Sequence, residues 1–510
     1  MPARPVHLPP NRFRPGCPGR ARAGCPRRRP RRIRRRCAAA PRPSRYGWWL
    51  SWWILLECRA ASNTVRCRHR DGRNRSRRRR ERRMAGGQFV RGDEVARVRC
   101  EEARIRNSAS ARRYQMTSVE MRGDASAGPG TVRRFRAELP ALLADIERLV
   151  CCESPSTDLA AVARGADAVA AVGGALLGVA PERIVLSGRT HLRWRFGSPA
   201  RVLVLGHHDT VWPVGSVRTH PFAVRDGKLY GPGCFDMKAG LALALRAVAA
   251  LPDRSGVTIL VTGDEELGAP SSRELIVDTA RGCAAVLVAE PAAGTALKIV
   301  RKGVSHYRIR VRGRAAHAGL EPERGVNATV ELAHQIGVVA ALGDAAVGTS
   351  VTPTLMSAGT AANTVPAEAS CAVDVRAATV AEQDRVDAAM RGLRPLLDGA
   401  ELEVLGGPNR PPLAAESSRE LFGRAQRLGA ALGIGPITGA AVGGGSDGNL
   451  TAGIGIPTLD GLGACGDGAH ADHEHVLIDE LPGRAALFHV LLEELLGVSE
   501  STSIQKGRTT

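Results

Sequence analysis

Four short stretches of the chain carry side chains able to hold a metal ion or move a proton. "GHHDTVW" (206–212) offers His207, His208 and Asp209; "GPGCFDMKAG" (231–240) offers Asp236; "GDEELG" (263–268) offers Glu265 and Glu266; "VAEP" (288–291) offers Glu290. A lone Asp at a helix start is usually an N-cap, and a lone Glu in a turn is usually solvated. Here the same chemistry recurs where three apolar runs end. So many carboxylates in one crevice repel each other unless cations sit among them. Imidazole together with carboxylate favours zinc or a similar divalent ion.

The runs that must position these side chains, "RVLVLG" (201–206), "VTILVTG" (257–263) and "AAVLVAE" (284–290), are short, apolar and β-branched. Near-continuous apolar runs separated by helical patterns such as "DMKAGLALALRAVAAL" (236–251) predict a mostly parallel sheet covered on both faces. In open sheets of this kind ligands bind beyond the carboxyl ends of the strands, which is where these side chains fall. "TVRRFRAELPALLADIERLV" (131–150) predicts an amphipathic opening helix.

From about 303 to 412 the pattern changes to strand 305–313, helix 327–342, strand 351–359, strand 368–377, helix 379–397 and strand 401–406. That order is βαββαβ, the ferredoxin-like arrangement. Tyr307, Ile309 and Val311 alternate with His306, Arg308, Arg310 and Arg312, so this sheet is apolar on one face only. The expected organisation is a catalytic α/β domain in two parts, 121–302 and 413–500, interrupted by a smaller domain at 303–412, with a tail at 501–510.

The net charge of +22 suggests a nucleic-acid binder until it is mapped. Residues 1–120 contain 34 Arg, no Lys and 8 acidic residues, a charge of +26, whereas residues 121–510 carry −4. The Arg-rich extension lacks apolar periodicity and is expected to be disordered. Its apolar patch "WWLSWWILL" (48–56) is too short to span a bilayer and sits too far from the start for an export signal. The extension fits an upstream read-through better than a basic tail or a targeting segment, with Met84, Met116 and Met121 as later starts. Cytoplasmic location is the default, with no membrane partner and no nucleic acid for the body. The twelve cysteines show no zinc-finger spacing and demand no oxidising compartment.

Taken in order with "GRAAHAG" (313–319), "NTVPAEASCAVDVR" (363–376), "GGGSDG" (443–448) and "GAHADHEHV" (468–476), these motifs resemble the di-zinc carboxypeptidase and deacylase family, across roughly 130–500. That family includes glutamate carboxypeptidase, acetylornithine deacetylase, succinyl-diaminopimelate desuccinylase and aminoacylases, and the likeness is greatest to glutamate carboxypeptidase. The resemblance implies a zinc-exopeptidase catalytic domain with an inserted dimerisation and lid domain. It also implies two Zn²⁺ per subunit, with Co²⁺ or Mn²⁺ as substitutes. His207 and Glu290 would hold one ion, Glu266 and His470 the other, and Asp236 would bridge them. Asp209 would orient His207, and Glu265 would be the general base. His317 would reach a partner subunit's site in a homodimer and support the oxyanion. Arg376, helped by Asn363, would take the substrate's free carboxylate.

The expected activity is release of a C-terminal amino acid, glutamate by preference, from a small peptide-like substrate. An N-acyl-amino-acid deacylase of the same fold is the nearest alternative, and an Arg-rich nucleic-acid binder is the alternative of another class. Three motifs are set aside. "GLGACG" (461–466) fits a dinucleotide fingerprint, but no helical pattern follows it. "GGGSDG" lacks the Lys-Ser/Thr of a phosphate loop and is expected along the substrate cleft. In "HADHEH" His473 and His475 are expected at the rim, and His208 is expected to be structural.

Overall fold

Apolar runs become strands here because both their faces are covered, and the strands stop where the polar motifs begin. In this computed structural model residues 127–497 are described. The Arg-rich extension 1–120, its "WWLSWWILL" patch and the tail 501–510 lie outside the described residues.

The described residues open with α1 (Ala127–Ala137), α2 (Leu139–Cys151) and α3 (Leu159–Leu177). The single opening helix expected over 131–150 is two helices, since Pro140 lies in the first turn of the second and can donate no backbone N–H. Strands β1 (Glu182–Leu186), β2 (Arg189–Phe196) and β3 (Val202–His207) follow, then α4 (Ala239–Ala249), β4 (Val257–Thr262), α5 (Arg273–Ala280) and β5 (Ala285–Val288).

A second set comprises β6 (Gly303–Arg312), α6 (Ala328–Ala340), β7 (Ser350–Ala358), β8 (Glu368–Ala377), α7 (Val380–Arg391) and β9 (Glu401–Arg410). Helix α7 ends at Gly392, short of the expected 397, and Glu331 of α6 takes the amides of Leu396 and Leu397 beyond it. The chain closes with α8 (Ala415–Leu432), α9 (Gly448–Gly453), β10 (Thr458–Leu459) and α10 (Leu481–Leu496).

The large sheet has the order β1-β2-β4-β3-β5-β10. Strands β4, β3, β5 and β10 are parallel neighbours, and β1 and β2 form an antiparallel margin. Alternate side chains divide between two apolar layers. Val202, Val204, Ile259 and Leu287 join the layer under α3, α4 and α10. Leu203, Leu205, Leu260, Val286 and Val288 join the layer with Ile276 and Leu450 from α5 and α9. Helix α3 is long and apolar enough to cross a membrane, yet its Val162, Val169, Val172 and Leu177 are buried against the sheet's own core.

The small sheet has the order β7-β8-β6-β9 and is antiparallel throughout. Tyr307, Ile309 and Val311 pack on α6 and α7 in a separate core, while His306, Arg310 and Arg312 are exposed on the other face. Between β5 and β6 lies strand Leu297–Arg301, paired in parallel with Gly439–Val442 after the small sheet.

Candidate active site

The carboxyl ends of β3, β4 and β5, and the turn before α4, deliver their polar side chains to one point. His207 Nε2 lies 3.4 Å from Asp236 Oδ1, 3.5 Å from Glu290 Oε1 and 4.0 Å from Glu265 Oε2. His470 Nε2 lies 3.5 Å from Asp236 Oδ2 and 3.1 Å from Glu266. Asp236 therefore stands between two imidazoles, one carboxylate oxygen towards each. Glu265 and Glu266 are neighbours in a short 3₁₀ turn, not at the strand end itself, and the turn sends their side chains to opposite partners.

Each of these groups is held from behind. His207 Nδ1 donates to the backbone carbonyl of Asp209 at 3.0 Å, which turns its Nε2 towards the carboxylates. The Asp209 carboxylate is slightly farther from the ring, at 3.5 Å; it accepts from Ser156 Oγ at 2.6 Å and from the amides of Glu265 and Glu266 at 3.2 Å. Asp209 thus ties the strand bearing His207 to the turn bearing both glutamates.

Asp236 sits in a non-helical kink before α4. The turn reaches it through Gly233 at φ +69°, where a Cβ would lie 2.5 Å from Thr210 Cγ2. The Glu474 carboxylate accepts from the amides of Gly233, Phe235 and Asp236 at 2.9, 2.8 and 3.0 Å, and from Trp212 Nε1 at 2.7 Å.

Two buried arginines back the carboxylates. Arg301 places Nη2 2.9 Å from Glu290 Oε2 and forks onto Asp460 at 2.8 and 2.9 Å. Arg410 places Nη2 2.9 Å from Glu265 Oε1 and 2.8 Å from Asp447 Oδ1. Lys298 stands 3.8 Å from Glu290. Sequence reasoning missed Glu474, Arg301, Arg410, Asp447 and Asp460. Asp447 lay inside "GGGSDG" and Glu474 between two histidines, so each had a quoted motif as its only signal.

Burial pushes the Glu265 carboxyl well up and that of Glu266 to about 7. Asp236 goes the other way: burial opposes its charge, but the two imidazoles on it hold it well below the carboxylate range. Hydrogen bonds to Asp236 and Glu266 raise His470 to about 11. His207 Nε2 is buried with no hydrogen-bond partner. An imidazole nitrogen aimed at three carboxylates without bonding any, among four acids gathered in one crevice, fits divalent cations better than protein contacts alone. Ligand-type atoms of His207, Glu265 and Glu290 lie within 4.8 Å of one another, as do those of His207, Asp236 and Glu266.

The remaining expected residues fall elsewhere. His317 lies on a two-stranded ribbon opposite Thr364, and just beyond the ribbon Ala318 N donates to Asn363 O at 2.9 Å. His317 and Asn363 are both exposed. His317 Nδ1 accepts from the amides of Gly319 and Leu320 at 3.1 Å, which leaves Nε2 to carry the proton and face outward. Arg376 forks onto Asp374 of its own strand at 2.8 and 2.9 Å.

His208 is buried, bonds Thr190 O at 2.9 Å, and is driven down to about 4 by burial. His473 is exposed, and His475 is half-buried with Nδ1 2.9 Å from the His473 carbonyl. "GLGACG" runs from Gly461 into a short strand at Gly466–Asp467 and not into a helix, and Gly463 packs on the carbonyls of Ala289 and Glu290.

Residues 203–494 match the model of peptidase family M20/M25/M40. Carboxypeptidase G2 of Pseudomonas sp. strain RS-16 is 31% identical over 389 residues, which cover 70% of this chain and 90% of that enzyme. Succinyl-diaminopimelate desuccinylase of Dechloromonas aromatica is 28% identical over 63% of this chain and 90% of that enzyme. Among solved structures, a tripeptidase of Staphylococcus aureus superposes with a TM-score of 0.55 at 20% identity, over 70% of this chain and 98% of the other. An M20-family metallo-carboxypeptidase of Sulfolobus solfataricus superposes with a TM-score of 0.53 at 16% identity, over 70% and 99%.

Proposed function

We propose, from the premise that this chain belongs to peptidase family M20/M25/M40 and is a hydrolase of amide or peptide bonds, that it is a two-zinc carboxypeptidase removing a C-terminal amino acid, glutamate by preference. The observation that carries the reading is Asp236 between His207 and His470, with Glu290 beside the same Nε2 of His207 and Glu266 beside the same Nε2 of His470. His207, Asp236 and Glu290 would hold one ion, and Glu266, Asp236 and His470 the other. Glu265 also lies among possible ligands, but its carboxylate stands 4.0 Å from His207 Nε2, farther than those of Asp236 and Glu290, and serves as the base.

Two bound divalent ions would supply an acidified water and stabilise negative charge developing on the scissile carbonyl. Glu265 takes the proton of the attacking water and returns it to the leaving nitrogen, for which a buried, raised carboxyl is suited. Asp209 keeps the His207 ring oriented through its carbonyl and locks both glutamates by their amides. Arg376 exchanges Asp374 for the substrate's α-carboxylate, with Asn363 alongside. His317, whose free Nε2–H points outward, serves the oxyanion in the site of a second copy, which makes the homodimer the working form.

The similarity to a desuccinylase favours one second reading, an N-acyl-amino-acid deacylase using the same centre. The two separate on substrate. The zinc-loaded protein should hydrolyse an N-aroyl-glutamate at a kcat/KM at least about tenfold above that for N-acetyl amino acids. The reverse order would assign the deacylase, and no turnover of either would overturn both.

A further inference from the structure

We propose that Arg410 is a positioning residue that locks the base Glu265 to the junction between the two sheets; this rests on the hydrolase reading above. The small sheet joins the rest of the fold only where β6 begins and where β9 ends, and at that point Val304 and Arg410 are register partners. Gln383 of α7 fastens the crossing, donating to Val304 O at 3.1 Å and Arg410 O at 3.0 Å. From it the Arg410 side chain, 7% exposed, extends into the site. Its Nη2 meets the Glu265 carbonyl at 3.0 Å, the Glu265 carboxylate at 2.9 Å and Asp447 Oδ1 at 2.8 Å. The preceding residue docks on the same turn, Asn409 Nδ2 donating to the Gly268 carbonyl at 3.0 Å.

The consequence is mechanical. The turn that bears Glu265 is gripped at its backbone and its carboxylate by one guanidinium rooted in the last residue of the small sheet. Any tilt of that sheet about the crossing must carry the base with it or break a buried charged contact. Seating of the small sheet and aim of the base are therefore one variable. Lysine keeps the charge, but its ammonium ends one bond short of the position of Nη2, where all three acceptors converge.

The test is steady-state kinetics on the zinc-loaded full chain, with metal content and circular dichroism read alongside. Arg410→Lys should lower kcat about tenfold and Arg410→Met about a hundredfold, each with KM within about threefold of the parent and unchanged metal per chain. If one variant fails to fold, the other decides. Parent-like kcat in a folded variant, or a loss carried by KM or by metal content, overturns the proposal. Glu265→Gln run in parallel keeps the two readings apart: if it turns over like the parent the hydrolase reading fails, and if only the Arg410 variants do, this inference alone fails.

Discussion

Glu474 accepts the backbone N–H of Asp236 at 3.0 Å across 238 positions of sequence. The same carboxylate takes the amides of Gly233 and Phe235, so one acid fixes the whole turn that presents Asp236 to both imidazoles. Glu474→Gln keeps one acceptor oxygen and introduces an NH₂ facing backbone donors. It should cost about 1–3 kcal/mol of stability and about tenfold to a hundredfold in metal affinity. Thermal melts and metal titration by calorimetry check both.

Glu265→Gln removes the proposed base and leaves His207, Asp236, Glu290, Glu266 and His470 in place. Turnover should fall by a factor on the order of 10² to 10⁴ with metal content unchanged. A parent-like rate would exclude Glu265 as the proton carrier.

Stripping metal should abolish hydrolysis and lower the melting temperature, because the four acids then face each other with Arg301, Arg410, Lys298 and a protonated His470 in place of the ions. Restoring zinc should recover both properties. His207→Ala should recover neither in full, since the Nε2 atom that lacks a protein partner would be gone.

Protons and metal should compete at His470. In the metal-free chain its pKa is raised by Asp236 and Glu266 to about 11 from 6.5. A raised pKa contributes stability that is complete below 6.5 and lost as pH climbs through about 11, so the metal-free form should melt earlier in alkaline buffer. Metal binding must expel that proton, so affinity should strengthen from pH 6 to pH 8. Calorimetry in buffers of different ionisation enthalpy should show proton release at pH 7, with about one proton fewer for His470→Ala.

His317 and Glu265 should complement across subunits. His317→Ala and Glu265→Gln homodimers should each be nearly inactive, whereas a mixed dimer holds one site with an intact His317 from one copy and an intact Glu265 from the other. Mixing under subunit exchange should recover about a quarter of parental turnover. Failure to recover any activity, with hybrids detected by native mass spectrometry, would place His317 outside the reaction.

Much of the fold was legible because burial writes itself into composition. Strands β3, β4 and β5 are apolar at nearly every position, as only strands covered on both faces can be. Strand β6 alternates because only one face is covered. The residues pointing into the cluster were legible because histidine and acid at the end of a buried strand have no cheap alternative.

What escaped was the outer ring. Arg301 and Asp460 are 159 positions apart and Arg410 and Glu265 are 145 apart. Neither arginine differs in sequence from a solvated one, because its role is set by tertiary folding. Local chemistry decided the two misread helices, through Pro140 in one and Gly392 in the other.

Because Val304 and Arg410 face each other across adjacent strands, the 303–410 segment leaves and rejoins the polypeptide at a single seam about 5 Å wide. Such a cassette can be excised and its ends closed by a tight hairpin, or exchanged for another, without rethreading the parallel sheet. Selectivity would then be free to diverge in the cassette while the parallel sheet stays fixed, with the Arg410 and Asn409 contacts at the seam as couplings a replacement must preserve.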